Sequence, residues 1–89
     1  MKQAILKITG RVQGVFFRDS ARKEAQRLDL TGYAKNMPDD SVEAFVQGEK
    51  ENIKKFIEWC KEGPSAAEVE NIQVDWQEKA EEIRGFSTF

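Results

Sequence analysis

Tyr33-Ala34-Lys35-Asn36-Met37-Pro38-Asp39-Asp40-Ser41-Val42-Glu43-Ala44-Phe45-Val46 is the stretch that decides the fold. Pro38-Asp39-Asp40-Ser41 is a turn-forming cluster between two extended runs, and Gly32 just ahead of it marks the restart of extended chain. The segment predicts a β-hairpin. Whatever flanks it determines the sheet into which that hairpin is built.

Upstream, Ala4, Leu6 and Ile8 alternate with Gln3, Lys7 and Thr9, the period of a half-buried strand, with Ile5 breaking the pattern. Residues 19–30 hold no proline or glycine. Phe17, Ala21, Ala25 and Leu28 recur at spacings of four and three, which predicts a helix with Asp19 and Ser20 at its positive end. Downstream, Ile53, Phe56, Ile57 and Cys60 sit at i, i+3, i+4 and i+7, charged residues fill the other faces, and Gly63-Pro64 stops this second helix. Val69 opens an extended stretch, but Ile72, Val74 and Trp76 have the opposite parity, so a bulge or break is expected near Glu70-Asn71. A polar turn at Lys79-Ala80-Glu81-Glu82 and a short terminal strand over Gly85-Phe86-Ser87-Thr88-Phe89 complete the chain.

The order is strand, helix, strand, strand, helix, strand, with a short fifth strand at the end. Two strand–helix–strand units fused by the hairpin, both crossovers right-handed, put both helices on one face of an antiparallel sheet of four to five strands. The expectation is an α+β ferredoxin-like βαββαβ sandwich, a single domain over residues 1–89. That fold hosts many unrelated activities, so function must be read from particular residues.

Composition narrows the choice. The 89 residues carry 14 Lys plus Arg against 16 Asp plus Glu, a net charge of −2, which gives no case for nucleic acid or an anionic membrane. There is no histidine and one cysteine, Cys60. Cys/His and Ser/His triads, His-ligated zinc and an intrachain disulfide are thereby excluded. No run approaches the roughly 20 apolar residues of a membrane span, and Met1-Lys2-Gln3-Ala4-Ile5-Leu6-Lys7 returns to charge too soon for a signal-peptide core. The chain is expected to be soluble, cytoplasmic and, for want of an exposed heptad or long apolar edge, monomeric. An enzyme of this makeup must run a reaction that needs little acid–base help.

The chemistry concentrates in Gly10-Arg11-Val12-Gln13-Gly14-Val15-Phe16-Phe17-Arg18, between the first strand and the first helix. Two glycines separated by three residues allow positive φ and close backbone approach, so that successive N–H groups can face one concavity. The helix start adds unpaired donors and Arg18 a guanidinium fork. Together they describe a seat for a phosphate or carboxylate; the alternative is an ordinary glycine-containing turn with a surface arginine. Neither the Walker nor the dinucleotide-binding pattern is present. A helix over residues 19–30 travels about 18 Å away from Arg18, and the steps from Thr31 to Asn36 return roughly 17 Å. Asn36 should therefore lie level with the loop, where a carboxamide can accept from a water and donate to a substrate oxygen.

Ile8-Thr9-Gly10-Arg11-Val12-Gln13-Gly14-Val15-Phe16-Phe17-Arg18 resembles the first signature of the acylphosphatases, and Gly32-Tyr33-Ala34-Lys35-Asn36, with Val42 and Gly48, resembles the second. Asp40 stands where the family usually has a turn glycine, which implies a left-handed residue under some strain. The resemblance implies hydrolysis of a carboxyl–phosphate anhydride to carboxylate and inorganic phosphate, without metal or cofactor. By the same resemblance, the backbone amides of Gln13, Gly14, Val15, Phe16, Phe17 and Arg18 cradle the phosphoryl group. Arg18 pairs with its oxygens and Asn36 orients the attacking water. A leaving carboxylate whose conjugate acid has a pKa near 4 departs unprotonated, which suits a chain without histidine.

Other constellations have plainer readings. Cys60 lies on an apolar stripe and reads as core. Asp39, Asp40 and Glu43 read as turn formers and solvated charge rather than a metal site. Trp59 and Trp76 read as packing or sheet-face residues, Phe17 as core, and Phe16 as core or pocket wall. The rival from another functional class is a non-catalytic anion-binding module of the same fold.

Overall fold

The computed structural model describes residues 1–78 and 81–89. Along β1 (Lys2–Arg11), Ala4, Leu6 and Ile8 are fully buried, as the alternation predicts. The hairpin is formed by β2 (Thr31–Asn36) and β3 (Val42–Gly48), with Asn36 opposite Val42. Asp40 occupies the left-handed region at φ 72, and Asp39 caps the turn by accepting from the Ser41 amide at 3.1 Å.

α1 (Phe17–Arg27) begins two residues earlier and ends three earlier than its sequence pattern suggests. The cause at the far end is Asp29, whose φ of 56 breaks the helix while the amides of Leu28, Asp29 and Leu30 bond back to carbonyls of its last turn. Leu28 and Leu30 can then both be buried. α2 (Lys50–Glu62) keeps its predicted stripe, with Ile53, Phe56 and Cys60 buried and Ile57 half-buried. Gly63 terminates it with φ 67, and a Cβ there would lie 2.7 Å from the Phe17 ring. That glycine is demanded twice over, by conformation and by space.

β4 (Glu68–Glu78) pairs with β1 through the expected irregularity: Thr9 faces Asn71 while Gly10 faces Val69, so Glu70 is the extra residue. The bulge turns Val69 onto the same core that receives Ile72 and Val74. The sheet order is β4-β1-β3-β2-β5, with β5 spanning Phe86–Thr88. Both helices pack on the face carrying Ala4, Leu6, Ile8, Ala34 and Ala44, where alanines let helix and sheet approach closely. Each larger side chain buried there contributes about 1.5–3 kcal/mol.

One expectation is corrected. The sheet is mixed rather than wholly antiparallel, because β5 runs parallel to β2, Gly32 facing Phe86. β4 runs opposite to β2 and ends beside Lys2, at the end of the sheet where β2 begins. A chain crossing that end re-enters the far edge in the direction of β2. The crossing is held by Gln47, whose carboxamide donates to the Glu81 carbonyl and accepts from the Ile83 amide at 2.8 Å. The polar turn expected at Lys79-Ala80-Glu81-Glu82 lies outside the described residues at Lys79 and Ala80.

The face away from the helices explains why Ile5 broke the alternation. Ile5 pairs with Phe45, and Tyr33 stacks on Phe45 with ring centroids 5.5 Å apart. A small apolar patch therefore sits on the open side.

Candidate active site

Between β1 and α1, residues 13–16 run as bends before the helix starts. Gly14 has φ 74 with open space where a Cβ would stand, and Phe16 follows in the left-handed region at φ 65, ψ 23. The first helical hydrogen bond, Ser20 to the Phe16 carbonyl, is 3.0 Å long. Amides ahead of it are the unpaired donors that a helix start carries, with the positive end of the dipole behind them. Val12, Val15 and Phe17 are buried and fix the loop from below.

Gly10 has a different task from the one its spacing suggests. It lies within β1, and a Cβ on it would stand 2.2 Å from the Glu68 carbonyl oxygen. It makes room for the β4 bulge, and Gly14 alone of the pair shapes the loop.

Arg18 and Asn36 are brought together by a residue that sequence reasoning missed. The main-chain oxygen of Phe89 accepts from Arg18 Nη1 at 2.7 Å and from the Asn36 backbone N–H at 3.1 Å. Phe89 is in turn tied to β2 by donating its amide to the Ala34 carbonyl at 2.9 Å. The available signal was the terminal strand itself: laid parallel beside β2, it delivers Phe89 next to Asn36. Asn36 is the last residue of β2, a position less demanding of strand propensity than its interior. Its Oδ1 is buried and has no hydrogen-bond partner among the described residues.

The Gln13 side chain is a second element not anticipated. Its Nε2 donates to the carbonyls of Met37 and Ser41, each at 2.9 Å, and so straps the loop to the hairpin just beyond Asn36. A concavity of about 280 Å³ opens here, lined by Val12, Gly14, Phe16, Phe17, Arg18, Asp19 and Thr88. Its one carboxylate, Asp19, is engaged by Arg22 at 2.5 Å and Lys23 at 3.4 Å, contacts that hold its pKa below the ordinary value. A roomier concavity of about 460 Å³ lies at the other end of the sheet, beside Lys2 and Trp76. It lacks a loop of free amides, so the smaller one is the chemical candidate.

The remaining side chains have ordinary surroundings, apart from Phe16, which is 79% exposed and so stands at the pocket wall rather than in the core. Cys60 is buried, and burial, with a smaller contribution from the Glu24 carboxylate, pushes its thiol far above the range of a nucleophile. Asp39 is engaged by Ser41 and by Lys7 at 2.9 Å, and Glu43 accepts from the Tyr33 hydroxyl at 2.8 Å. Among the described residues no cluster of three or more His, Cys, Asp or Glu could hold a metal ion, and no helix is long and apolar enough to cross a membrane.

A family model described as acylphosphatase matches residues 4–88. A curated acylphosphatase from Thiobacillus denitrificans is 50% identical over 86 residues, covering 97% of this chain and 94% of that protein. The crystal structure of acylphosphatase from Bacillus subtilis superposes with a TM-score of 0.97 at 34% identity, covering 100% of this chain and 99% of the other. An acylphosphatase structure from Coxiella burnetii gives 0.88 at 40% identity, over 99% and 92% of the two chains.

Proposed function

This chain belongs to the acylphosphatase family and is an acyl phosphate hydrolase, and from that premise we propose how its own residues divide the reaction. The amides of residues 13–18 cradle the phosphoryl group, Arg18 pairs with its peripheral oxygens, and Asn36 orients the attacking water. One observation supports this reading: the Phe89 main-chain oxygen accepts from both the Arg18 guanidinium and the Asn36 backbone N–H, so the two residues meet beside the loop.

The water oxygen bonds to phosphorus while the bond from phosphorus to the acyl oxygen breaks, and its electron pair leaves on the carboxylate. That group has a conjugate acid of pKa about 4, so no general acid is required. A loose, metaphosphate-like transition state asks little of a base, and an oxygen of the substrate can take the water's proton. What remains is positioning and charge stabilisation, the work of amides and a guanidinium. The donors around the loop are N–H groups suited to an anion rather than oxygen ligands suited to a cation, which supports a reaction independent of metal and cofactor. The products are carboxylate and inorganic phosphate. Residues 1–89 act as one catalytic unit and as a monomer, a reading supported by one chain supplying loop, Arg18 and Asn36, and the lone unpaired Cys60 thiol supports a cytoplasmic setting.

Steady-state hydrolysis of benzoyl phosphate tests the proposal. We expect turnover that is competitively inhibited by inorganic phosphate and indifferent to EDTA. Phosphate binding without turnover would make the chain a non-catalytic anion-binding module, noncompetitive inhibition would move the phosphate site elsewhere, and loss of activity with EDTA would end the metal-free mechanism. Gel filtration reads the oligomeric state.

A further inference from the structure

Phe16 combines three properties that rarely coincide. It is 79% exposed, it occupies the left-handed backbone region that glycine would adopt without strain, and it lines the concavity beside Gly14, Arg18 and Thr88. A large aromatic held out in solvent in an unfavourable conformation gains nothing from folding, and such outliers gather where a site uses them. The other apolar side chains lining the concavity, Val12 and Phe17, are each 1% exposed and present no free surface.

Resting on the hydrolase reading above, we infer that Phe16 is a specificity-determining residue whose ring receives the acyl portion of the substrate and favours aromatic and bulky apolar acyl phosphates over small ones. The phosphoryl group is fixed at the loop by amides and Arg18, and the floor beneath it is closed by buried Val12 and Phe17. The acyl group must therefore point toward the mouth, where Phe16 stands. An apolar acyl group meeting that ring removes water from both surfaces, and aromatic pairs gain further from stacked or edge-on geometry. Acetyl phosphate carries a single methyl and reaches little of it. One small apolar group in a contact of this kind changes kcat/KM by about tenfold or more.

The test is a selectivity ratio, kcat/KM for benzoyl phosphate divided by that for acetyl phosphate, in the wild type and in Phe16→Gly, Phe16→Ala and Phe16→Leu. A ratio cancels any change common to both substrates, including relaxation of the loop, and glycine suits the backbone at φ 65. We expect the ratio to fall about tenfold in the glycine and alanine variants and to recover in large part with leucine. Binding of unreactive phenylphosphonate against methylphosphonate, followed by calorimetry, should show the same contrast without chemistry. An unchanged ratio with unchanged phosphonate preference overturns the assignment of Phe16, whatever the absolute rates. Failure of the wild type to hydrolyse either substrate would instead bring down the hydrolase reading, and this inference with it.

Discussion

The Arg18 guanidinium and the Asn36 backbone meet on one main-chain oxygen, yet the proposed tasks of the two residues differ, and their variants should separate accordingly. Arg18→Ala removes a charge that faces the phosphoryl group before and during reaction, so KM should rise and kcat should fall, together costing about a hundredfold or more in kcat/KM. Asn36→Ala should lower kcat by about a hundredfold with little change in KM, since a water-orienting group contributes mainly in the transition state. Steady-state kinetics on benzoyl phosphate checks both, and an unchanged kcat for the Asn36 variant removes it from the mechanism. That Asn36 comes level with Arg18 was legible, because the rise of a helix and of a strand fixes where β2 ends. The Gln13 strap to Met37 and Ser41 and the Phe89 oxygen were not, because side-chain-to-backbone contacts across 24 to 71 positions leave no periodic trace.

Among the elements, the turns are where a single substitution reads most clearly. Asp40 holds φ 72 without the freedom of glycine, so Asp40→Gly should stabilise the hairpin by about 0.5–1 kcal/mol in urea denaturation while leaving kcat unchanged. Gly63→Ala should do the reverse. It places a methyl 2.7 Å from the Phe17 ring at φ 67 and should destabilise by about 2–4 kcal/mol in the same measurement. Strands and helices were readable from their periods because each has one face on a shared core. Even the bulge was legible, since the parity of Val69 conflicts with that of Ile72. The ends of α1 were not, because they are set by two left-handed residues, Phe16 and Asp29, whose types do not announce that conformation.

Across the molecule, β5 escaped a full reading for a related reason: three residues show neither strand direction nor neighbour, and only the position where β4 ends settles both. The open face gives the fold a pH dependence of predictable sign. Burial of Tyr33, reinforced by the Glu43 carboxylate that its hydroxyl touches, pushes its pKa up from 10.0 to about 12. The folded state therefore holds this proton more tightly than the unfolded chain does. The resulting stabilisation is complete below pH 10 and is lost as pH rises toward about 12. Urea midpoints at pH 9, 11 and 12 should fall more steeply for the wild type than for Tyr33→Phe, and parallel curves would count against it. Cys60, sealed beneath α2 with its thiol held protonated, has one more consequence. A thiol reagent can modify it only during moments when the core parts, so the labelling rate counts those openings. Where reclosing outpaces labelling, that rate gives an opening free energy. Equality with the urea value would mean that α2 separates from the sheet only when the whole chain unravels, and a smaller value would identify α2 as the part that lifts first.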